Sequence, residues 1–314
     1  MTVRSGPERY GRALSTDEDA AFFDMIRVAR DRLEDMVAAS RDLRGGDGGA
    51  PPAADSQAMH DLDAEFGYRT AGLDEPVANF QTLSDLMLVA AEDHIVSTCL
   101  LVAEGDRVSV YSHTVLARAA SEACARSFWL VADVGTRSRI ERGINETIYS
   151  LGYLGQLPPE VQTFDARASV GELHAAGERL GFERIGKYVA EKRPKETAAI
   201  QAVYGDDELG RALYNYQSAV AHGTAYGLAA SMARDQIEHT ALSPHPRVPN
   251  VTTASGVLGA FASVELALVN TVERRRAYFG WPANGWRDAD WETRSKAATG
   301  ETMERLGLIH HPGN

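Results

Sequence analysis

Tyr111 to Ala132, YSHTVLARAASEACARSFWLVA, is the stretch whose reading decides the fold. It is alanine-rich, so high helix propensity and close packing against neighbouring helices are expected together. Val115, Arg118, Glu122, Arg126 and Trp129 recur at helical spacing. Two arginines and a carboxylate therefore fall on the stripe expected to face a core. Left buried and unpaired, such groups cost roughly 1–3 kcal/mol each, and more when charged, so the fold must bring partners to them or keep the site wet.

The same logic applies downstream. Asp206 to Met232 is expected to form one long helix, with Ser218 and His222 one turn apart and Tyr216 and Tyr226 flanking them. Around these two segments the remaining pattern is helical. Ser15 to Glu18 is a capping box, and Phe22, Ile26, Leu33 and Val37 mark an amphipathic helix to about Leu43. Leu83, Leu86, Ala90, Ile95, Val96 and Leu100 give a helix from Gln81 to Ala103. Thr136 to Leu154 is again helical, and its Arg137, Arg139 and Arg142 read as a solvated basic face. A second capping box at Ser169 to Glu172 opens a short helix to about Leu180, and helices follow over 196–203 and 254–279. Period-two runs of β-branched residues are absent. The fold class is all-α, an antiparallel helical bundle.

Four segments are expected. An N-terminal helix spans 1–44, and a flexible glycine- and proline-rich linker spans 45–58. The core bundle spans 80–279, and an aromatic-rich tail spans 280–314. The glycines of the linker follow no strand and end in no Gly-Lys-Ser/Thr, so they are not a phosphate loop. Trp281, Trp286 and Trp291 in the tail are expected to wrap it onto the body or onto a partner subunit.

With 314 residues, 44% hydrophobic and 24% charged, the composition is that of a soluble globular protein of one or two domains. A formal charge of −12 argues against broad binding to DNA or RNA, which needs a basic face to displace counterions. Cys99 and Cys124 are the only cysteines and form no Cys-x-x-Cys pair, which predicts reduced thiols and a cytoplasmic protein. No apolar h-region follows the N-terminus and no membrane span is expected. No cofactor signature is present.

Arg118, Glu122 and Arg126, four apart, can pair along one helix face. Flanked by two guanidiniums, Glu122 would stay ionised and make a poor general base. It could instead hold the arginines rigid, or leave one guanidinium edge free for a ligand phosphate or carboxylate. His222, in a run of small residues that lets another helix come close, is either a core histidine with one hydrogen bond or a general acid/base served by Ser218 and Tyr226. Asp93 falls with Leu86, Ala90 and Leu100, so it could meet the arginines from a third helix. No Glu-x-x-His occurs in the chain, which leaves no di-metal carboxylate pattern, and no metal is expected.

The order of these pieces resembles a broad group of bacterial helical proteins related to the HEPN superfamily. That group has an Arg-x-x-x-Glu helix with an aromatic-rich end and a later Tyr-x-x-x-Ser-x-x-x-His-Gly helix. Here these are Arg118 to Glu122 with Phe128-Trp129, then Asn215-Tyr216-Gln217-Ser218-Ala219-Val220-Ala221-His222-Gly223, within a match from about Leu83 to Phe279. The resemblance implies a helical bundle, commonly a dimer and often an RNase. It also implies an arginine shortly before the histidine, but Gln217 stands there and Arg211 is too far upstream. Cleavage without metal would need Arg118 or Arg126 from the facing helix.

Three functions follow. The first is an anionic ligand, nucleotide or RNA, held by a homodimer between the Arg118/Glu122/Arg126 helix and the Ser218/His222 helix, with Trp129, Tyr216, Gln217, Tyr226 and Asp93 lining the pocket. The second is a small-molecule isomerase, cyclase or lyase using His222 in an aromatic-lined cavity. The third is a scaffold in which every one of these polar groups is structural.

Overall fold

The computed structural model describes residues 16–46, 50–103, 111–162, 164–205, 207–224 and 254–282. Among them lie nine α-helices: α1 (Thr16–Leu43), α2 (Gln57–Ala64), α3 (Pro76–Ala103), α4 (Ser112–Leu130), α5 (Thr136–Leu154), α6 (Ala166–Arg179), α7 (Glu196–Tyr204), α8 (Asp207–Ala221) and α9 (Ala254–Phe279). Short 3-10 turns cover Glu65–Tyr68 and Pro159–Val161, and β1 (Arg184–Ile185) pairs antiparallel with β2 (Tyr188–Val189). The all-α bundle expected from the periodicity is the observed class.

Helix α4 is the hub. Its Ala117, Ala120, Cys124 and Ala125 are buried, and the small side chains let α3, α7, α8 and α9 pack against it from several sides. A first core joins α1, α3, α4, α7, α8 and α9 around Leu33, Leu88, Ile95, Phe261 and Leu268. A second joins α2, α5, α6 and the hairpin to the ends of α3, α4 and α9, around Phe80, Ile140, Ile144, Phe182 and Phe279. Among the described residues, α9 alone is long and apolar enough to cross a membrane, and most of it lies buried as the shared wall of both cores.

The helix ends expected for α5 and α9 match, but several other readings change. Helix α6 is capped by Asp165, whose Oδ1 accepts from Ala168 N at 3.0 Å, so Ser169 sits inside the helix rather than at its start. Helix α2 was not foreseen. Ser56 caps it by accepting from Met59 N, Ala58 is fully buried, and Ala53 N donates to Phe279 O at 2.9 Å. The later half of the stretch read as a flexible linker is therefore docked on the end of α9. In the tail, Trp281 is buried and stacks on Phe279 with ring centres 4.6 Å apart; Trp286 and Trp291 lie outside the described residues.

Helix α3 carries the largest shift. Its inner face is Val77, Phe80, Ser84, Leu88, Ala91, Glu92, Ile95 and Cys99, whereas Leu86 and Leu100, assigned to the core stripe, are exposed. Apolar residues occur on every side of this helix, so period alone did not orient it. Buried Glu92 is held by Ser40 Oγ at 2.7 Å and by Arg41 and Arg44 of the α1 end. Asp93 is turned to solvent. It does not approach the arginines of α4, because the position beside it took the inward place.

Helices α3 and α5 cross where Gly143 faces Phe80. A Cβ at Gly143 would lie 2.6 Å from the Phe80 Cβ. On an isolated helix Gly→Ala stabilises by about 0.5–1 kcal/mol. Here Gly143→Ala is expected to destabilise by about 1–3 kcal/mol, because the helices must separate. Urea unfolding reads the sign directly.

Candidate functional site

Helix α8 ends sooner than its sequence period suggests. Gly223 takes a left-handed φ of 63° and closes the helix: Gly223 N donates to Val220 O at 2.9 Å and Thr224 N to Ala219 O at 3.0 Å. This paired closure is the glycine-terminated C-cap, and it makes His222 the capping residue. His222 is exposed. The core-histidine reading is thereby corrected, because the small residues before it serve the packing of α8 while the histidine stands beyond the last turn. The helix expected to run unbroken to Met232 closes at Gly223, and Tyr226 lies outside the described residues.

Across from His222, α4 presents Arg118. Its Nε donates to Glu122 Oε1 at 2.8 Å, its Nη2 to Tyr214 OH at 3.4 Å, and its Nη1 lies 3.4 Å from His222 Nε2. The guanidinium also sits over the Tyr214 ring, 5.4 Å from its centre. Glu122 and Tyr214 fix the fork from two directions, so its position is set before any ligand arrives. With Arg118 donating, the facing imidazole is the tautomer with its proton on Nδ1. The Arg118 side chain is only 17% exposed, but its contact with His222 lies at the surface, where an oxyanion beside the exposed histidine would meet a planar, charged fork.

The other expected members go elsewhere. Arg126 turns away from this rim to α5 and α7, with Nη1 3.8 Å from Glu146 Oε1 and Nη2 3.7 Å from Glu196 Oε1. Glu122 is therefore paired with one arginine rather than clasped between two. Trp129 lies beneath the Arg142 guanidinium, 5.2 Å from ring centre to charge, while Arg142 also donates to Trp129 O at 2.8 Å. Gln217 is buried and donates to Ser263 Oγ at 2.8 Å, which locks α8 to α9 and keeps the side chain away from the rim. Ser218 and Tyr216 are half-buried, and Ser218 O accepts from His222 N at 2.9 Å.

Tyr214 was missed. It stands four residues before Ser218 and eight before His222, so the helical spacing that joined those two also places Tyr214 on their face. Two further networks were also unforeseen and are structural. In one, buried Asp61 accepts from Arg139 Nε at 2.6 Å and Nη2 at 2.7 Å, from Thr136 Oγ1 at 2.6 Å and from Tyr278 OH at 2.7 Å. Burial works against the Asp61 charge, but this cluster of donors, led by Arg139, overcomes it and holds the carboxyl below its ordinary value. Arg139 and Arg142 are both buried, so the start of α5 is not a solvated basic face. In the other, Arg193 bridges Glu146 at 2.7 Å and Glu196 at 3.0 Å over the Tyr149 ring. Cys99 and Cys124 are buried, unpaired thiols, pushed up to about 12 by burial, which leaves them inert.

Compared with known proteins, the chain matches no family model, no curated sequence and no solved structure.

Proposed function

We propose that the chain is a HEPN-like helical protein that binds a phosphate-bearing ligand, a nucleotide or an RNA strand, at the Arg118–His222 rim. The observation that carries this reading is the approach of Arg118 to His222 across α4 and α8. The α8 motif lacks an arginine before its histidine, and Gln217 in that place is buried against Ser263. Arg118 supplies a guanidinium from the facing helix, within 3.4 Å of the imidazole. A guanidinium offers the fork and an imidazole the proton carrier that phosphodiester chemistry uses. The small-molecule enzyme reading has less support, because Trp129 packs under Arg142 instead of lining a cavity with His222.

With an overall charge of −12, the contact is confined to a small basic spot, so few phosphates are engaged and the salt dependence is shallow. Fluorescence anisotropy with a short labelled single-stranded RNA, alongside competition by ATP, tests this. Arg118→Gln is expected to weaken binding roughly tenfold to a hundredfold, the worth of a lost charged hydrogen bond. Glutamine keeps a hydrogen-bonding group beside Glu122 and Tyr214, and a thermal melt run alongside separates any loss of folding from the loss of ligand contact. Unchanged RNA and ATP affinity in this variant would remove the proposal.

The same reading makes the protein a homodimer, and the outer face of α3 supplies a surface for it. Leu86, Val89 and Leu100 are 59%, 47% and 53% exposed on one face of this helix, with exposed Asp93 among them. Sedimentation velocity should show a dimer that Leu86→Asp with Leu100→Asp converts to monomer. A monomeric wild type, or a double variant that stays dimeric, would refute that arrangement.

A further inference from the structure

A cleft of about 370 Å³ lies between α5, α6 and the β-hairpin, away from the Arg118–His222 rim. Its walls include Tyr149, Tyr153, His174, Arg184, Lys187 and Tyr188. His174 is only 7% exposed, and neither of its ring nitrogens has a hydrogen-bond partner among the described residues. A neutral imidazole carries one N–H donor and one acceptor, and a buried side chain of this kind is ordinarily satisfied on at least one side. The imidazole is held in that neutral form, since burial and then the nearby positive charge of Arg184 lower its pKa. Both ring nitrogens are sealed from solvent, so the imidazole backs the wall of the cleft, close enough for its resonances to report on whatever fills it.

We infer that this cleft is a second ligand site, built for a small planar molecule carrying an oxyanion. Arg184 and Lys187 sit exposed on the hairpin at the mouth, and among the described residues Arg184 hydrogen-bonds through its Nε, to Gly186 O, leaving its terminal N–H groups for an anion. Tyr149 and Tyr153 meet edge to face with ring centres 5.1 Å apart and hydroxyls hydrogen-bonded at 2.8 Å. That pair forms a fixed aromatic wall, because Tyr149 is itself pinned beneath Arg193. The volume is at the small end of ligand pockets and suits a single ring with its substituent. The ring lies against the tyrosines and the oxyanion meets Arg184 and Lys187, with the His174 imidazole in the wall behind them.

Phenyl phosphate, with inorganic phosphate beside it, is the probe. Isothermal titration gives affinity, and long-range proton–nitrogen NMR of the His174 ring reports the contact. Phenyl phosphate should shift the His174 nitrogens at millimolar concentration and bind more tightly than inorganic phosphate. Arg184→Gln with Lys187→Gln, both exposed positions, should weaken it at least about tenfold with an unchanged thermal melt. In Arg118→Gln, phenyl phosphate should shift the His174 nitrogens as it does in the wild type, whatever heat the rim itself contributes. Unmoved His174 resonances in the wild type, His174 shifts that saturate at the same concentration in the hairpin double variant, or loss of those shifts in Arg118→Gln would each overturn the assignment.

Discussion

Asp61→Ala is expected to remove about 3–5 kcal/mol of folding stability, the cost of stranding a buried charge when its partner is deleted. Asp61 and Arg139 are 0% and 1% exposed, and the carboxylate is the acceptor for donors from α2, α5 and α9 at once. Among the described residues, its loss leaves the Arg139 guanidinium with only Ala132 O and Val134 O to satisfy it, and leaves Tyr278 OH without the Asp61 acceptor. Asp61→Leu combined with Arg139→Met, which removes both charges, should be markedly more stable than Asp61→Ala, since the penalty arises from the orphaned ion rather than from loss of attraction. Urea midpoints compare the three proteins. The pH dependence has a definite sign. The folded-state pKa of Asp61 is lowered from the ordinary 3.8, so its contribution is complete above the unfolded value and is lost as pH falls through the lower folded value. Wild-type stability should therefore decline on the acid side, below about pH 4, and the Leu/Met variant should decline less steeply there. A single variant as stable as wild type would contradict this placement of the charge pair.

Arg193→Met is the second large loss, also about 3–5 kcal/mol. Glu146 is fully buried, and Arg193 is its close partner; Arg126 is farther off at 3.8 Å. Arg193 bonds Glu146 and Glu196 through different edges of one planar group while its face covers Tyr149 at 3.7 Å. Lysine offers a point charge without that fork, so Arg193→Lys should recover only part of the loss. Thermal melts of both variants settle it: full recovery by lysine would show that charge alone, not the bridging shape, holds α5 to α7.

The sequence period located most helices because their ends carry local signals. Gly135 precedes α5 and Gly280 follows α9, and the helices begin and stop beside them. Orientation was less legible. On α3 the leucines and valines occur all round, and whether Glu92 or Asp93 turns inward depends on Ser40, Arg41 and Arg44, some fifty residues earlier. Arg139 looked solvated for the same reason, since Asp61 is 78 positions away and belongs to a helix too short to announce itself by periodicity. At the candidate site, the four-residue spacing of Arg118 and Glu122 predicted their pairing, and Ser218 with His222 marked the right face of α8. What the period could not show was that Gly223 ends the helix and exposes His222, or that Arg126 is drawn off by Glu146 and Glu196 of other helices.

The central claim is that Arg118 and His222 act as one anion site. A double-mutant cycle of RNA binding, with Arg118→Gln, His222→Ala and both together, addresses it most directly. Residues that share one bound phosphate couple, so the double variant should lose little more affinity than the worse single variant, a departure from additivity of at least about 0.5 kcal/mol. Two losses that simply add, or no loss in either single variant, would show that the guanidinium and the imidazole meet across α4 and α8 without serving a common ligand.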